Sequence, residues 1–128
     1  MVEGVLGLGV DLVELERVER ALARWGRRIV ERLMSPPEAA RLPEPAQERT
    51  RAFALAIAVK EAASKALGTG WTRGVTWRDV ELVGGAPAQV LLHAGAARRA
   101  SLLGACGARV SELSVRDGLA IAEVWLLA

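Results

Sequence analysis

The only two lysines of the chain stand on either side of a glutamate, while the other positive charges come from arginines. Lys60, Glu61 and Lys65 precede a Gly-Thr-Gly sequence at residues 68–70, in a segment with helical character. On a helix, Glu61 and Lys65 would lie on neighbouring turns of one face, where an ion pair contributes roughly 0.2–0.5 kcal/mol. Alternatively, a carboxylate with ammonium groups on both sides could serve a divalent metal and a phosphate together. Residue types and spacing leave both interpretations open.

A second carboxylate follows an apolar run near the N-terminus. The run from Val5 to Val10, interrupted by glycines, predicts a short buried strand, and from Leu12 onward apolar residues recur at helical spacing. Asp11 is therefore expected at a strand-to-helix junction, where its side chain would point off the end of a sheet toward a ligand site. The structural alternative is that Asp11 is the N-cap of the helix and forms a capping box with Glu14.

Taken together, the two segments resemble the holo-acyl-carrier-protein synthases, the small bacterial 4′-phosphopantetheinyl transferases. That family carries a Gly-x-Asp-x-x-Glu element near the N-terminus and a Lys-Glu-Ala-x-x-Lys-Ala-x-Gly-Thr-Gly element further along. The first element stands here at residues 9–14 and the second at residues 60–70. The resemblance continues through Gly85-Ala86-Pro87 and the apolar C-terminal segment, so it spans nearly the whole chain.

The resemblance implies transfer of 4′-phosphopantetheine from coenzyme A to a serine of apo acyl carrier protein, which leaves adenosine 3′,5′-bisphosphate. It implies that Asp11 and Glu61 bind Mg²⁺, with Mn²⁺ as a substitute, because a hard cation takes carboxylates and substrate oxygens as ligands. Glu61 and Lys65 would be the catalytic residues, since charge builds on the leaving phosphate. The predicted coenzyme A contacts are a lysine, a glycine-rich turn and an arginine: Lys65, Gly68, Thr69, Gly70 and Arg51.

The proton of the acceptor serine needs a base, and no histidine is suitably placed to accept it. His93, the only histidine, falls in a predicted strand and is expected to be structural. The candidates are therefore a carboxylate, with Glu61 able to share that role, or a water held by the cation. The Gly-Thr-Gly turn is expected to end a helix as well as approach the ligand.

The chain departs from the family pattern in three places, at Ala56-Ile57, at Ala86 and at Val115. Ala56 and Val115 stand where the resemblance leads us to expect an arginine and a histidine that reach coenzyme A phosphates. One of Arg49, Arg51 and Arg116 is expected to replace them, because arginine binds phosphate through paired donors. The alternative function is a family member that binds coenzyme A with weak or lost transferase activity.

Six arginines and two glutamates in residues 17–32 give this stretch a local excess of four positive charges. Arg17, Arg20 and Arg24 fall at helical spacing on one face. A solvated helix face is the plain interpretation, whereas the resemblance implies a docking face for an acidic helix of the carrier protein. Nucleic-acid binding is disfavoured, because Trp25 is the only aromatic residue nearby and no nucleic-acid motif is visible.

Composition fits a small enzyme with one domain over residues 1–128. The chain is 52% hydrophobic with a formal net charge of +2, so it is not a general binder of polyanions. No apolar run is long enough to span a membrane, and the N-terminal residues 1–4 lack the basic region of a signal peptide. A single cysteine, Cys106, excludes an internal disulfide and a cysteine metal cluster, and predicts a cytoplasmic location.

The elements that must position these residues form an α+β pattern, an antiparallel sheet packed on a long helix. Strands are predicted at 2–10, 76–83, 88–93, 109–115 and 119–127, with a hairpin turn at 116–118. Helices are predicted at 12–24, up to about 34, from Ser35 to the prolines 43 and 45, at 46–67 and at 94–103. The family resemblance implies the phosphopantetheinyl transferase fold and a homotrimer with coenzyme sites at subunit interfaces, with which the large tryptophans Trp71, Trp77 and Trp125 are compatible.

Overall fold

A three-stranded antiparallel sheet and one long helix form the centre of the molecule in the computed structural model, which describes residues 4–128. The predicted strand positions Val2 and Glu3 lie outside the described residues. The larger sheet has the strand order β1-β5-β4, and β2 and β3 form a separate pair. In chain order the elements are β1 (Val5–Glu14), α1 (Leu15–Trp25), α2 (Arg27–Leu33), α3 (Pro36–Ala40), α4 (Ala46–Ala66), a 3₁₀ turn (Trp77–Asp79), β2 (Val80–Val83), β3 (Gln89–Leu92), α5 (Ala94–Leu102), β4 (Gly107–Arg116) and β5 (Leu119–Leu127). The predicted α+β architecture is confirmed.

Helix α4 is buried along most of its length because small side chains line it. Ala54, Ala58 and Ala62 are fully buried, as is the one large aromatic residue of the helix, Phe53. A helix that is apolar nearly all round must be covered on several sides. The sheet covers one side of α4, and α1, β2 and their connections cover others.

Two glycines of β1 let this strand lie directly against the backbone of α4. A Cβ atom at Gly9 would collide with the carbonyl oxygen of Ala62 and lie 2.8 Å from Cβ of Lys65. A Cβ atom at Gly7 would collide with the carbonyl oxygen of Ala66. Strand and helix therefore approach each other more closely than any other residue type at these positions would allow.

The larger sheet buries one face and exposes the other. On β5 the buried side chains alternate with half-buried ones, and those facing α4 are small or branched: Ala120, Ala122, Val124 and Leu126. On β1 the outward-pointing side chains are apolar and exposed by 40–58%: Leu6, Leu8, Val10 and Leu12. The outer face of β1 is therefore an apolar surface in a single chain.

The predicted strand-to-helix junction at Asp11 is wrong. Strand β1 continues to Glu14, which pairs with Leu119 of β5, and α1 begins only at Leu15. Asp11 is thus a strand residue opposite Ala122, and neither the N-cap nor the capping box exists there. The backbone ladder with β5 extends the strand over residues whose apolar spacing also fits a helix.

Most other predicted elements are present with shifted ends. The strand predicted from residue 76 starts at Val80, because Trp77–Asp79 form a 3₁₀ turn with Thr76 as its capping residue. His93 follows β3 and precedes α5, so it is not a strand residue. The capping box of Ser35 and Glu38 at the start of α3 is confirmed.

Replacing Gly9 by alanine should destabilise the protein by about 1–3 kcal/mol, because the added methyl group overpacks the contact between β1 and α4. The backbone of Gly9 is not in the left-handed region, so space alone is responsible. Gly107→Ala is the matched control, since a Cβ atom there has no neighbour within 4 Å. Urea unfolding of both variants measures the difference. Equal midpoints would contradict the close contact.

Candidate functional site

Five charged side chains from three elements line one cavity of about 430 Å³. Asp11 and Glu14 come from β1, Arg17 from α1, and Glu61 and Lys65 from α4. The apolar part of the wall includes Val18, Phe53 and Ile57. The structure thus brings the two predicted metal ligands and the predicted phosphate-binding lysine to one place.

Within this cavity Lys65 bridges from α4 to β1. Its Nζ lies 2.9 Å from Oδ1 of Asp11 and donates a hydrogen bond of 3.0 Å to the carbonyl oxygen of Val10. The interpretation of Glu61 and Lys65 as an intrahelical ion pair is therefore wrong. Among residues 4–128, the Glu61 carboxylate has no ion-pair or hydrogen-bond partner. Its oxygens are thus available to a ligand.

The second lysine does not take part in the cavity. Lys60 is fully buried, and its ammonium donates to Oε1 of Glu38 at 3.0 Å, to the carbonyl oxygen of Trp77 at 2.9 Å and to that of Val80. Burial lowers the pKa of Lys60, although the neighbouring Glu38 carboxylate acts in the opposite direction. The prediction that cations stand on both sides of Glu61 is wrong for Lys60, because adjacent helix residues point about 100° apart.

The Gly68–Gly70 turn ends α4 as predicted. Gly68 and Gly70 have positive φ values of 74° and 56°, which favour glycine. The backbone N–H groups of Thr69 and Gly70 both donate to the carbonyl oxygen of Ser64. Arg99, which the sequence did not single out, donates from Nε to the carbonyl oxygen of Leu67 at 3.0 Å. The carbonyl groups of Ser64, Lys65 and Leu67 at the end of α4 therefore have donors, and the binding role of the turn stays a prediction.

The arginines considered for the coenzyme phosphates do not meet the cavity within one chain. Arg51 precedes Lys65 by fourteen positions on α4, which corresponds to about 21 Å along the helix axis. Arg49 donates to the carbonyl oxygen of Pro43 at 3.3 Å, and Arg116 is exposed at the end of β4. None of the three arginines therefore reaches this cavity within one chain.

The predicted docking arginines lie on the exposed surface of α1. Arg20 forms an exposed ion pair of 3.1 Å with Glu16, and the Arg24 guanidinium lies 4.8 Å from the ring centre of Trp25. Next to them, an open cavity of about 420 Å³ is lined by apolar and basic side chains: Trp25, Arg28, Ile29, Arg32 and Leu33. The sequence placed Arg28 and Arg32 in the local charge excess but did not indicate this cavity. Trp25, a large apolar residue within the basic stretch, was the residue that could have indicated it, and it is 44% exposed.

These residues fit a bound cation only if a substrate supplies some of its ligands. Among residues 4–128, no group of three or more His, Cys, Asp or Glu side chains could hold a metal ion. Of the three carboxylate residues that line the cavity, Asp11, Glu14 and Glu61, the predicted ligands are Asp11 and Glu61. Mg²⁺ is commonly held by one or two carboxylates together with substrate phosphates and water, so the donor set fits Mg²⁺ on that condition.

In the described part of the chain, no helix has the length and apolar character needed to cross a bilayer.

The known proteins to which this chain is similar belong to one group of enzymes. The model of the 4′-phosphopantetheinyl transferase superfamily matches residues 7–110. A holo-acyl-carrier-protein synthase of Solidesulfovibrio magneticus is 43% identical over 123 residues, which cover 94% of this chain and 97% of that protein. The solved synthase of Neisseria meningitidis shares the fold, with a TM-score of 0.79 at 22% identity over 97% of this chain and 99% of that chain. The synthase of Bacillus anthracis, solved in complex with coenzyme A (3′,5′-ADP), is 25% identical, with a TM-score of 0.75 and 98% of each chain covered.

His93 makes a structural contact outside the cavity. Its Nε2 lies 2.9 Å from Oε1 of Glu81, whose Oε2 lies 2.6 Å from the Arg41 guanidinium. The hydrogen bonds from Arg41 and His93 hold the pKa of the Glu81 carboxyl below its ordinary value of 4.5. These contacts join β2 to the end of α3 and the start of α5.

Glu81→Gln should lower the free energy of unfolding at pH 7 by about 0.5–1 kcal/mol, the size of a partly exposed ion pair. Because the folded pKa of Glu81 lies below the unfolded value, its contribution is complete above pH 4.5 and is lost as the pH falls through the folded value. The gap between variant and wild type should therefore close in acid. Urea unfolding at several pH values tests this, with the exposed Glu44→Gln as control. A gap that stays constant with pH would refute it.

Proposed function

The chain belongs to the 4′-phosphopantetheinyl transferase superfamily, and we propose that it transfers 4′-phosphopantetheine from coenzyme A to a serine of apo acyl carrier protein. The other product is adenosine 3′,5′-bisphosphate. The observation that carries this proposal is the shared cavity of Asp11, Glu61, Lys65 and Arg17. The 43% identity to a holo-acyl-carrier-protein synthase over nearly the full length supports the same reaction.

The reaction forms a bond from the serine oxygen to phosphorus and breaks the bond from that phosphorus to the bridging oxygen of the diphosphate. Negative charge builds on the leaving phosphate, and the serine proton must be accepted. Lys65 holds a diphosphate oxygen with its ammonium, which Asp11 and the Val10 carbonyl already orient. Glu61, whose carboxylate has no partner within residues 4–128, accepts the proton of the acceptor hydroxyl.

Asp11 and Glu61 are the residues that would hold Mg²⁺ in this cavity. A bound Mg²⁺ supplies charge neutralisation at the diphosphate oxygens. The Asp11 side chain is mostly buried and its Oδ1 is held by Lys65, so its remaining oxygen has a restricted direction. The half-buried Glu61 faces the same space from α4. The Asp11 carboxylate is thus oriented before any ligand arrives, whereas the Glu61 carboxylate, within the described residues, has its oxygens free for one.

Coenzyme A is proposed to lie along the end of α4, with Gly68, Thr69 and Gly70 close to its phosphates. Glycines at this turn leave the backbone accessible. Arg51 stays a candidate for the adenosine phosphates only if it belongs to another copy of the chain, because about 21 Å of helix separates it from Lys65. A single chain would then bind coenzyme A weakly. The alternative function, a coenzyme A-binding family member with weak or lost transferase activity, rests on the loss of polar groups at Ala56 and Val115.

Self-association would cover the apolar outer face of the β1-β5-β4 sheet, and we infer a homotrimer. Leu6, Leu8, Val10 and Leu12 of β1 are all at least 40% exposed. Trp125 pairs with Leu8 and extends this face onto β5, whereas Trp71 and Trp77 stack on each other within the chain. Contiguous exposed apolar residues of this kind commonly mark protein interfaces.

We also propose that the enzyme is cytoplasmic, since the exposed thiol of Cys106 fits a reducing compartment.

The carrier protein is proposed to dock on α1 and the neighbouring open cavity. The exposed Arg17, Arg20 and Arg24 lead from the catalytic cavity toward Trp25 and the basic rim formed by Arg28 and Arg32. An acidic helix of the carrier protein would meet complementary charge along this line, and an apolar side chain of that helix would fit into the open cavity. Arg17 lines the catalytic cavity as well, so docking places the carrier beside the reacting groups.

Asp11→Asn and Glu61→Gln should fold but lose about 100-fold or more of the transferase activity. The loss should shrink for Asp11→Asn as Mg²⁺ is raised, because the substrate phosphates still provide ligands. The measurement is the mass of apo carrier protein after incubation with enzyme, coenzyme A and Mg²⁺. Glu48→Gln, an exposed carboxylate in the first turn of α4, is the control. Near-normal turnover of both variants at low Mg²⁺ would exclude a site of two carboxylates.

Arg20→Glu combined with Arg24→Glu should raise the KM for the carrier protein about tenfold and leave the KM for coenzyme A nearly unchanged. Charge complementarity acts mainly on the encounter rate and is screened over about 8 Å at physiological ionic strength. Added salt should therefore slow the wild type more than the double variant. Arg98→Glu on the exposed surface of α5 is the control. If wild type and double variant share one carrier KM at both salt concentrations, α1 is a solvated face and not a dock.

A further inference from the structure

We propose that Lys60 is a positioning residue for the catalytic cavity, holding α4 and the Gly68–Gly70 turn in place from the opposite side of the helix. This inference rests on the proposed function, since the cavity it positions is the proposed transferase site. Lys60 itself touches none of the cavity residues: its ammonium contacts Glu38, Trp77 and Val80.

The Lys60 ammonium joins α4 to three other segments. Each of its three donors has an acceptor, on Glu38 of α3, on Trp77 of the 3₁₀ turn and on Val80 of β2. Lys60 is 0% exposed and the Glu38 side chain 2% exposed. A buried ion pair is rarely more stable than apolar residues of the same volume. Its directional bonds, however, fix one rotation of the helix, which an apolar contact would not.

The rotation of α4 decides where Glu61 points. Glu61 follows Lys60 directly and faces the cavity about 100° around the helix. Side chains end about 5–6 Å from the helix axis, so a rotation of about 10° would move the Glu61 carboxylate by about 1 Å. A displacement of that size can cost about 100-fold in rate. The bonds of Lys60 therefore matter for a residue that Lys60 does not touch.

The same ammonium also holds the segment that follows α4. The carbonyl group of Trp77 accepts from Lys60, and the Trp77 ring stacks on Trp71 with 4.1 Å between ring centres and 22° between planes. Trp71 is the residue after Gly70, the last residue of the proposed phosphate turn. Contacts thus run from Lys60 through the two indoles to the turn, on the side of α4 away from Asp11.

Removing both members of the buried pair separates positioning from stability. Lys60→Met with Glu38→Gln leaves no unpaired buried charge, and the new amide can still accept from the backbone of Ser35. We expect this double variant to fold with some loss of stability, because the carbonyl groups of Trp77 and Val80 lose their donor, and to have a kcat about 100-fold lower with the KM for carrier protein unchanged. The near-UV circular dichroism of the stacked Trp71 and Trp77 should change as well. Wild-type kcat together with a wild-type spectrum would overturn the proposal.

Two further variants keep the test decisive. Lys60→Arg retains the charge opposite Glu38, so it folds even if the double variant does not, but it displaces the bonds to Trp77 and Val80. It should also lose kcat, and full kcat in Lys60→Arg would overturn the proposal. Val90→Ala, in the buried part of β3, is the control for lost stability alone and should keep kcat.

Failure of the proposed function gives a different result. In that case the wild type itself would leave the apo carrier protein unmodified with coenzyme A and Mg²⁺ present. The positioning role is then decided by the spectrum of the stacked indoles and by amide hydrogen exchange of Gly68–Trp71 in Lys60→Arg. Faster exchange with an altered spectrum supports it, and unchanged values reject it.

Discussion

The close contact between β1 and α4 at Gly7 and Gly9 is the constraint on which the rest of the structure depends. Without side chains at these positions, the strand backbone lies on the carbonyl groups of Ala62 and Ala66. That separation lets Lys65 reach both the Val10 carbonyl and Asp11. A wider separation would break the bridge between strand and helix. It would also draw the Asp11 carboxylate away from Glu61, so packing and chemistry share one requirement.

The two lysines of α4 have different roles because one is buried and the other is about half exposed. Lys60 is fully enclosed and satisfied by three acceptors, and desolvation lowers its pKa. Lys65 is about half exposed and keeps donors for a ligand while it orients Asp11. An ammonium is compact enough to fit between three acceptors in the core, and in the cavity it acts as a point charge toward phosphate. The arginines of this chain lie mainly on the surface or cap helix carbonyls.

The sequence predicted those parts of the fold that have strong local patterns, and it predicted that the two motifs lie close together. It predicted α4, the hairpin of β4 and β5 and the joint placement of Asp11 and Glu61. It misplaced the end of β1, because residues 12–15 satisfy helical spacing while the ladder with β5 decides their conformation. It also left open a role for Lys60 beside Glu61 at the site and missed its partner Glu38, which lies 22 positions away. Local spacing does not tell which side of α4 faces the sheet, because this helix is apolar nearly all round, and long-range ion pairs leave no periodic signal.

Strand β1 links catalysis to assembly through the alternation of its side chains. Asp11 points toward α4 and the cavity, whereas its neighbours Val10 and Leu12 point to the exposed outer face. β1 is an edge strand, paired only with β5. A second copy that covered Val10 and Leu12 would therefore brace the backbone on both sides of the proposed metal ligand Asp11. The same assembly would be needed for Arg51 to take its proposed place at the phosphates, given its distance from Lys65 along α4. Activity of this transferase should thus depend on its self-association, even though the reacting groups of each cavity come from one chain.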